Sequence, residues 1–477
     1  MQHRQVRASG SGDMLAGDAR CVGAAPEHGF EKKAEEELSR HGGDVVDDPT
    51  AYRVDGEVGR FTFTCHHLER EGSVQFDTSR EVFAPLTGKQ WYRTVGFKEL
   101  AIVRGALDRS YRQATRMVNR IRHQPEATPL RTLQDAVEAE GVAAAQALRR
   151  EAELVVRRAG MDADTLVPRR QREAVPGQHL DADVVEAALR EVAPDAETLD
   201  AIRTNPVGYE DPRVSVNVSI DDVLAKKQRE HRRIKGQGRP AQESNEPATE
   251  TDSAKQEKKR VHSTVAHVQT PAGSRIYATP TVASTCLFVL AFLTANRLLK
   301  WNWMFFVDGQ RSLHDSLVRL FAWQGTLQLI LDWHHLDKKC QEQLSRAMNN
   351  RHARNEVLKE LLTVLWYGNI DAAIEYLSRV DATRIKDAGA LEKLVGYFER
   401  NRQCIPCYAA RKQLGLRNSS NRGEKANDLV VSDRQKHNGM SWSQDGSIAL
   451  STLRSLVCND NDREWFESGT VSFRQAA

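Results

Sequence analysis

Two apolar runs that each stop at an aspartate constrain this chain more than anything else in it. Val214–Ile220 (VSVNVSI) alternates apolar and polar residues, the period of a half-buried strand, and runs into Asp221-Asp222. Trp303–Val307 (WMFFV) is apolar throughout, as a strand covered on both faces is, and runs into Asp308-Gly309. Between them the pattern predicts strands at about 261–269 (VHSTVAHVQ) and 274–278 (SRIYA), then a buried helix over 281–299. A helix over roughly 311–323 and a strand Leu327–Leu331 ending at Asp332 follow, and 336–400 is helical in pattern throughout. Ser419–Asp428 (SSNRGEKAND) opens a further helix. No internal repeat interrupts this series.

Carboxylates at strand ends project from a rigid edge. Two side by side form a hard, oxygen-rich site suited to Mg²⁺ or Mn²⁺. A third acid from a helix completes a pair of metal sites roughly 4 Å apart, the arrangement that cleaves phosphodiesters. Asp221 is the first expected carboxylate, because it follows its strand directly, and Asp308 is the second. The late helix puts Glu424, Asn427 and Asp428 on one face, so Glu424 is the expected third and Asp428 the alternative. Alone, a strand-end aspartate is as readily a turn or cap residue. The order strand–Asp, two strands, helix, strand–Asp, helix–Glu is that of an RNase H-like fold, so the expected class is α/β with a mixed sheet.

Charge does not decide the partner by itself: 68 basic and 65 acidic residues leave a net charge of only +3. The distribution of charge has to carry any case for nucleic acid. The seven cysteines are scattered, at positions 21, 65, 286, 340, 404, 407 and 458, which suits a reducing cytoplasm better than a disulfide framework. No apolar signal core opens the chain, and Cys286–Leu293 (CLFVLAFL) falls short of the roughly 20 apolar residues a bilayer span needs. The expected location is cytoplasmic and nucleoid-associated, with no membrane. Cys404-Ile-Pro-Cys407 reads as half a zinc site or as reduced structural thiols; no second CxxC lies nearby and only Cys340 offers a third ligand. Cys65-His66-His67 reads as hairpin sequence rather than a metal cluster.

The front half divides differently. Residues 1–29 form an expected disordered tail, although a short charged helix is read over Glu31–Arg40. Gly59–Phe76 holds two alternating runs about a polar turn, a β-hairpin. A helix over 98–122 sets Leu107, Tyr111, Ala114, Val118 and Ile121 on one face and Arg109, Arg112, Arg116 and Arg120 on the other. A second helix starts at Thr128-Pro129 and stops near Gly141, and a third runs through Arg149 to Arg158. This succession is compatible with a helix-turn-helix DNA-binding region over 30–160, or with a plain bundle whose Arg face is solvated. Residues 161–210 read as a connector with one short helix near 182–192, and 226–260 as a disordered polar insertion. The catalytic core is then expected over 211–335 and 416–477, split by a helical insertion at 336–415.

Three phrases resemble bacterial insertion-sequence transposases of the Mutator-like DDE group. FFVDGQRSL resembles the second-aspartate strand, with Asp308 in the catalytic slot. LDWHHLDKK resembles the Asp-x-x-His signature, matched by Asp332 and His335. NRGEKANDLVVSDRQKHNGMSWSQDGSIAL resembles the C-terminal block, with Glu424 in the third slot. The resemblance spans about 214 to 456. It implies a metal-dependent transposase that cuts at element ends and joins the 3′-hydroxyl to target DNA, working as a homo-oligomer on double-stranded DNA. Asp332 and His335 would steady the site, or else be a cap and a packed histidine. Arg434 and Lys436, with His437, would contact phosphates or form a solvated face, Met440-Ser-Trp442 would pack, and Trp333 and His334 would stack on a base or belong to the core. The rivals are a nuclease without strand transfer, an inactive DNA-binding derivative, and a helical scaffold with no DNA affinity.

Overall fold

The alternation that begins at Val214 carries on through the two aspartates, since Val223 and Ala225 keep the buried period, and the strand it builds is twelve residues long. This is β6, Ser215–Lys226, in a computed structural model of the chain. The structure describes residues 95–123, 128–170, 176–228, 260–437 and 439–475, with Arg40 and the backbone of five strands between Asp44 and Asp77. The expected tail, the 31–40 helix apart from Arg40, and 229–259 of the polar insertion lie outside the described residues. Two compact units emerge: Met1–Ala144 with Asp460–Thr470, and Ala145–Asn459 with Val471–Ala477.

In the first unit, β1 (Asp44–Val45), β4 (His67–Arg70) and β5 (Ser73–Asp77) form one antiparallel sheet, and β2 (Thr50–Gly56) pairs with β3 (Gly59–Cys65) in another. The two runs read as one hairpin are thus divided: the second half is the β4–β5 pair, while the first half takes β2 as its partner. The helix expected over 98–122 is two helices, α1 (Val95–Leu107) and α2 (Tyr111–Ile121). Ser110 breaks it by capping the Gln113 amide at 3.1 Å, and Arg109 falls in the turn. Arg112, Arg116 and Arg120 remain an exposed stripe on α2, but Leu107 and Ile121 are also exposed instead of buried. Gly141 does not stop a helix: α3 is continuous over Leu130–Arg158 and buries that glycine. α1 packs against α3 at Gly105, where a Cβ would come within 2.5 Å of Val137.

The second unit is built on a five-stranded mixed sheet in the order β10-β9-β6-β7-β8. Here β7 is Arg260–Thr270, β8 Gly273–Thr279, β9 Asn302–Val307 and β10 Leu327–Leu331. β6, β7 and β8 are antiparallel neighbours, whereas β6, β9 and β10 run parallel. This layout is compatible with an RNase H-like sheet. The connector's expected short helix is α4 (Ala182–Val192); a second, α5 (Ala196–Arg203), follows it, and Leu189 and Ile202 are buried with Cys407, Ala409 and Ala410. One face of the sheet is covered by α6 (Val282–Ala295), with Phe288 of the helix edge-on to Tyr277 of β8 at 5.9 Å, and by α7 (Arg311–Phe321). The helical stretch after β10 comprises α8 (Trp333–Ala347), α9 (Arg351–Trp366), α10 (Ile370–Ser378), α11 (Ala388–Asn401) and α12 (Tyr408–Gln413). The other face is covered by α13 (Asn421–Asn427), which continues through a wider π-turn at Asp428–Ser432, and by α14 (Gln444–Cys458). The short α15 (Asp462–Ser468) belongs to the first unit. No described helix is long and apolar enough to cross a membrane.

Candidate functional site

Parallel registration fixes the site. Ser219 pairs with Phe306 and Leu331 with Val307, so one step past the end of β9 the register sets Asp221, Asp308 and Asp332 in a row across three neighbouring strands. Asp221 is therefore not at the end of its own strand, as the sequence reading had it. It lies inside β6, opposite Val265 of β7, at the level where the parallel partner stops. Parallel strands that stop early leave a notch in the sheet, and the side chains beside it reach open space while their backbones stay hydrogen-bonded. Asp222 points to the opposite face by the alternation of the strand. There its carboxylate accepts a 2.6 Å hydrogen bond from Thr264 Oγ1.

Burial, and next the negative charge of Asp308, push the Asp221 carboxyl above its ordinary range. A carboxylate that is partly buried near a like charge behaves in this way. Asn427 Nδ2 donates to Asp221 Oδ2 at 2.6 Å, which fixes one carboxylate oxygen. Asn427 comes from α13, and α13 lies close to the sheet because Gly423 rests on Ser219: a Cβ at Gly423 would stand 2.6 Å from the Ser219 Cβ. Glu424, next in the helix, is exposed, and its charge reaches His335 together with that of Asp308. Asp428, the alternative third acid, is exposed where the π-turn begins.

Asp332 does something different from its neighbours in the row. Its side chain is 1% exposed and every contact it makes is internal. It caps α8 by accepting from the His335 amide at 3.0 Å, and it accepts from the Ser420 amide and, at 2.9 Å, from Ser420 Oγ. Burial alone would raise this carboxyl, but the contacts with His335 and Ser420 outweigh it and bring it down to about 2. Nδ1 of His335 lies 3.3 Å from Asp332, and that contact, ahead of the charges of Asp308 and Glu424, raises the imidazole above its usual value. Asp332 thus ties the start of α13 to the end of β10, which fixes where Glu424 and Asn427 come to rest.

The helical stretch also contributes a side chain. Tyr397 of α11 donates to the Asp308 carbonyl at 3.4 Å, and its ring fills the space beside Gly309 that any Cβ would occupy. Gly309 has φ +80°, a conformation glycine adopts without strain.

Other expected site residues are placed elsewhere. Arg434 is 1% exposed, stacked 5.3 Å from the Trp442 ring, so its guanidinium is a core group and not a surface phosphate contact. Lys436 and His437 are exposed. Trp333 packs edge-on to Trp366 at 4.7 Å and against Tyr408, a core role, while His334 is exposed. Cys340, Cys404 and Cys407 are buried free thiols. Cys65 and His67 fall in strands whose side chains are outside the described residues.

Among the described residues no three His, Cys, Asp or Glu side chains form a ready-made metal cage. The donor chemistry nonetheless fits a divalent cation such as Mg²⁺, which is usually held by one or two carboxylates and completed by water and substrate phosphate. The placement of Asp221 and Asp308 at one level of adjacent strands and the unpartnered, buried Oδ1 of Asn427 are the specific observations in favour. No protein-family model matches the chain, and neither a curated protein nor a solved structure does.

Proposed function

We propose that the chain is a DDE-type DNA transposase, a polynucleotidyl transferase with an RNase H-like core. The observation that carries this reading is the registration of Asp221 and Asp308 on adjacent parallel strands, on the sheet face where α13 presents Glu424 and Asn427. Asp221 and Asp308 would hold the cation, Mg²⁺ or Mn²⁺, with Glu424 as the third acid. A divalent cation bound there would polarise the phosphate and favour an oxygen nucleophile.

The chain's own residues orient and balance that site. Asn427 holds one oxygen of Asp221, leaving the other for ligation. Tyr397 supports the turn that carries Asp308. Asp332 anchors the start of α13 and favours the protonated form of His335, beside an otherwise acidic centre. No serine, cysteine or tyrosine nucleophile is needed, because the attacking oxygen comes from water and then from the DNA 3′-end. The exposed arginines of α2 would contact the DNA backbone, and pairing of two element ends would require self-association.

The test is cleavage and strand transfer with DNA carrying the element's own ends, in Mg²⁺ or Mn²⁺. The reading expects both reactions from the wild type and neither from Asp308→Asn or Asp221→Asn. Cleavage without joining would leave a nuclease. A wild type that binds the ends but never cuts would be an inactive derivative.

A further inference from the structure

A second charged cluster adjoins the acids, and it has the opposite sign. His267 is buried on β7 directly across from Ser219, one diagonal step from Asp221, a separation of about 7–8 Å between such positions. Gly423 rests on the same Ser219, so the residues just before it lie over this part of the sheet. Those residues include Arg422, and Arg417 stands in the loop that leads into α13. The charges of both arginines bear on His267, where burial acts first and they add to it, and the Arg422 charge bears on Arg417. Arg417 is half-buried, and among the described residues no carboxylate pairs with it or with Arg422.

The loop carrying Arg417 is held firmly. Arg411 Nε donates to the Arg417 carbonyl at 3.0 Å, the Asn418 carbonyl accepts from the Trp333 amide at 3.0 Å, and Asn418 Nδ2 donates to the Tyr408 carbonyl at 2.8 Å. Two guanidinium groups, which do not discharge near neutral pH, thus bear on one another and on the same buried histidine. Such an arrangement makes an electropositive spot that attracts an anion. The planar fork of arginine matches phosphate oxygens in geometry.

We propose that Arg417 and Arg422, against the wall formed by His267, bind a backbone phosphate of the nucleic acid, next to the phosphate that meets Asp221 and Asp308. This rests on the reading of the acids as a phosphodiester site. It assigns strand positioning to residues that the family resemblance did not mark.

The full chain is titrated with a labelled duplex oligonucleotide over a series of salt concentrations, and separately with inorganic phosphate. Arg422→Ala should bind the duplex several-fold more weakly, with the slope of log K against log salt shallower by about 0.9, the share of one phosphate contact. Arg417→Ala with Arg422→Ala should weaken affinity further but lose no more slope than that one contact carries, while Arg417→Lys should keep most of the slope. Arg422 is exposed, so its variant tests the site even if removal of Arg417 upsets folding; a melting curve is recorded for each. Unchanged slope and affinity in a folded Arg422→Ala variant would overturn the proposal. So would Arg417-dependent binding of phosphate without duplex binding, which would mark a small-phosphate site. A slope change in a wild type that never cleaves would support this site while removing the catalytic reading. Cleavage with an unchanged slope would do the reverse.

Discussion

Two pairs of charged groups in the second unit, one buried and one half-buried, behave in opposite ways. Arg411 and Glu210 are both almost wholly buried, at 0% and 3% exposure, and the guanidinium donates twice to the carboxylate, at 2.8 and 2.7 Å. Arg411 also donates from Nε to the Arg417 carbonyl, so its charge and its fork are fully used. The Asp221–Asp308 pair has like charges, with burial and repulsion acting together on one carboxyl. Matched charge ties α12 to the segment before β6; unmatched charge has no stabilising use in the protein alone. Under the proposed function, the contrast separates groups that serve folding from groups that serve a ligand.

Removing one acid is the strongest way to break that contrast. Asp308→Asn should lower metal-dependent DNA cleavage by at least two to three orders of magnitude, as loss of a principal electrostatic group does. In the same variant thermal stability should hold or rise, because repulsion with Asp221 is relieved. A loss of stability in proportion to activity would show the acid to be structural.

Arg411→Ala should do the converse. Truncating one partner of a buried ion pair costs about 3–5 kcal/mol, which urea unfolding would measure. Replacing Arg411 and Glu210 together by Met and Leu should cost much less. Equal losses in the single and double variants would remove the argument from matched charge.

His267 sharpens the comparison through pH. Burial, helped by the charges of Arg417 and Arg422, lowers its imidazole from 6.5 to about 4. The folded state therefore binds this proton less readily than the unfolded state, so stability is full above pH 6.5 and falls as pH drops toward 4. The whole window is worth about 3 kcal/mol. His267→Gln should flatten the unfolding free energy between those pH values; an unchanged pH profile would remove His267 from the account.

The smallest expected effect tests the seat of α13. Gly423→Ala would place its Cβ 2.6 Å from that of Ser219, and overpacking of this kind costs about 1–3 kcal/mol. Ser219→Gly in the same chain should recover most of the loss. No recovery in the double variant would mean that the helix does not depend on this contact.

Much of the sheet was legible from local pattern. WMFFV is apolar at every position and is β9, with all six residues of Asn302–Val307 buried. VSVNVSI alternates and begins β6, yet the strand outruns the aspartates, because a ladder to β7 continues through Lys226 and a neighbour's hydrogen bonds are not written in the strand's own residues. Gly141 misled for a related reason: a glycine costs about 1 kcal/mol in a helix, and packing along α3 overrides that. The N-terminal runs paired with strands the local pattern did not show, since an alternating segment does not say which edge it will meet.

The sequence by itself determined which acids were available, the order of the elements that carry them, and the glycine and asparagine that recur one helical turn apart at 423 and 427. Tertiary structure decided that Asp221 and Asp308 share a level while Asp222 turns away, that Asp332 serves as an anchor, and that Arg434 belongs to the core. It also decided that the charges of Arg417 and Arg422 converge on the buried His267, with no paired carboxylate among the described residues. Side-chain types and spacings are local properties of a chain. Register between strands, and the pairing of a buried charge, depend on contacts between residues far apart in the chain, from 24 positions for Leu331 and Val307 to 201 for Glu210 and Arg411.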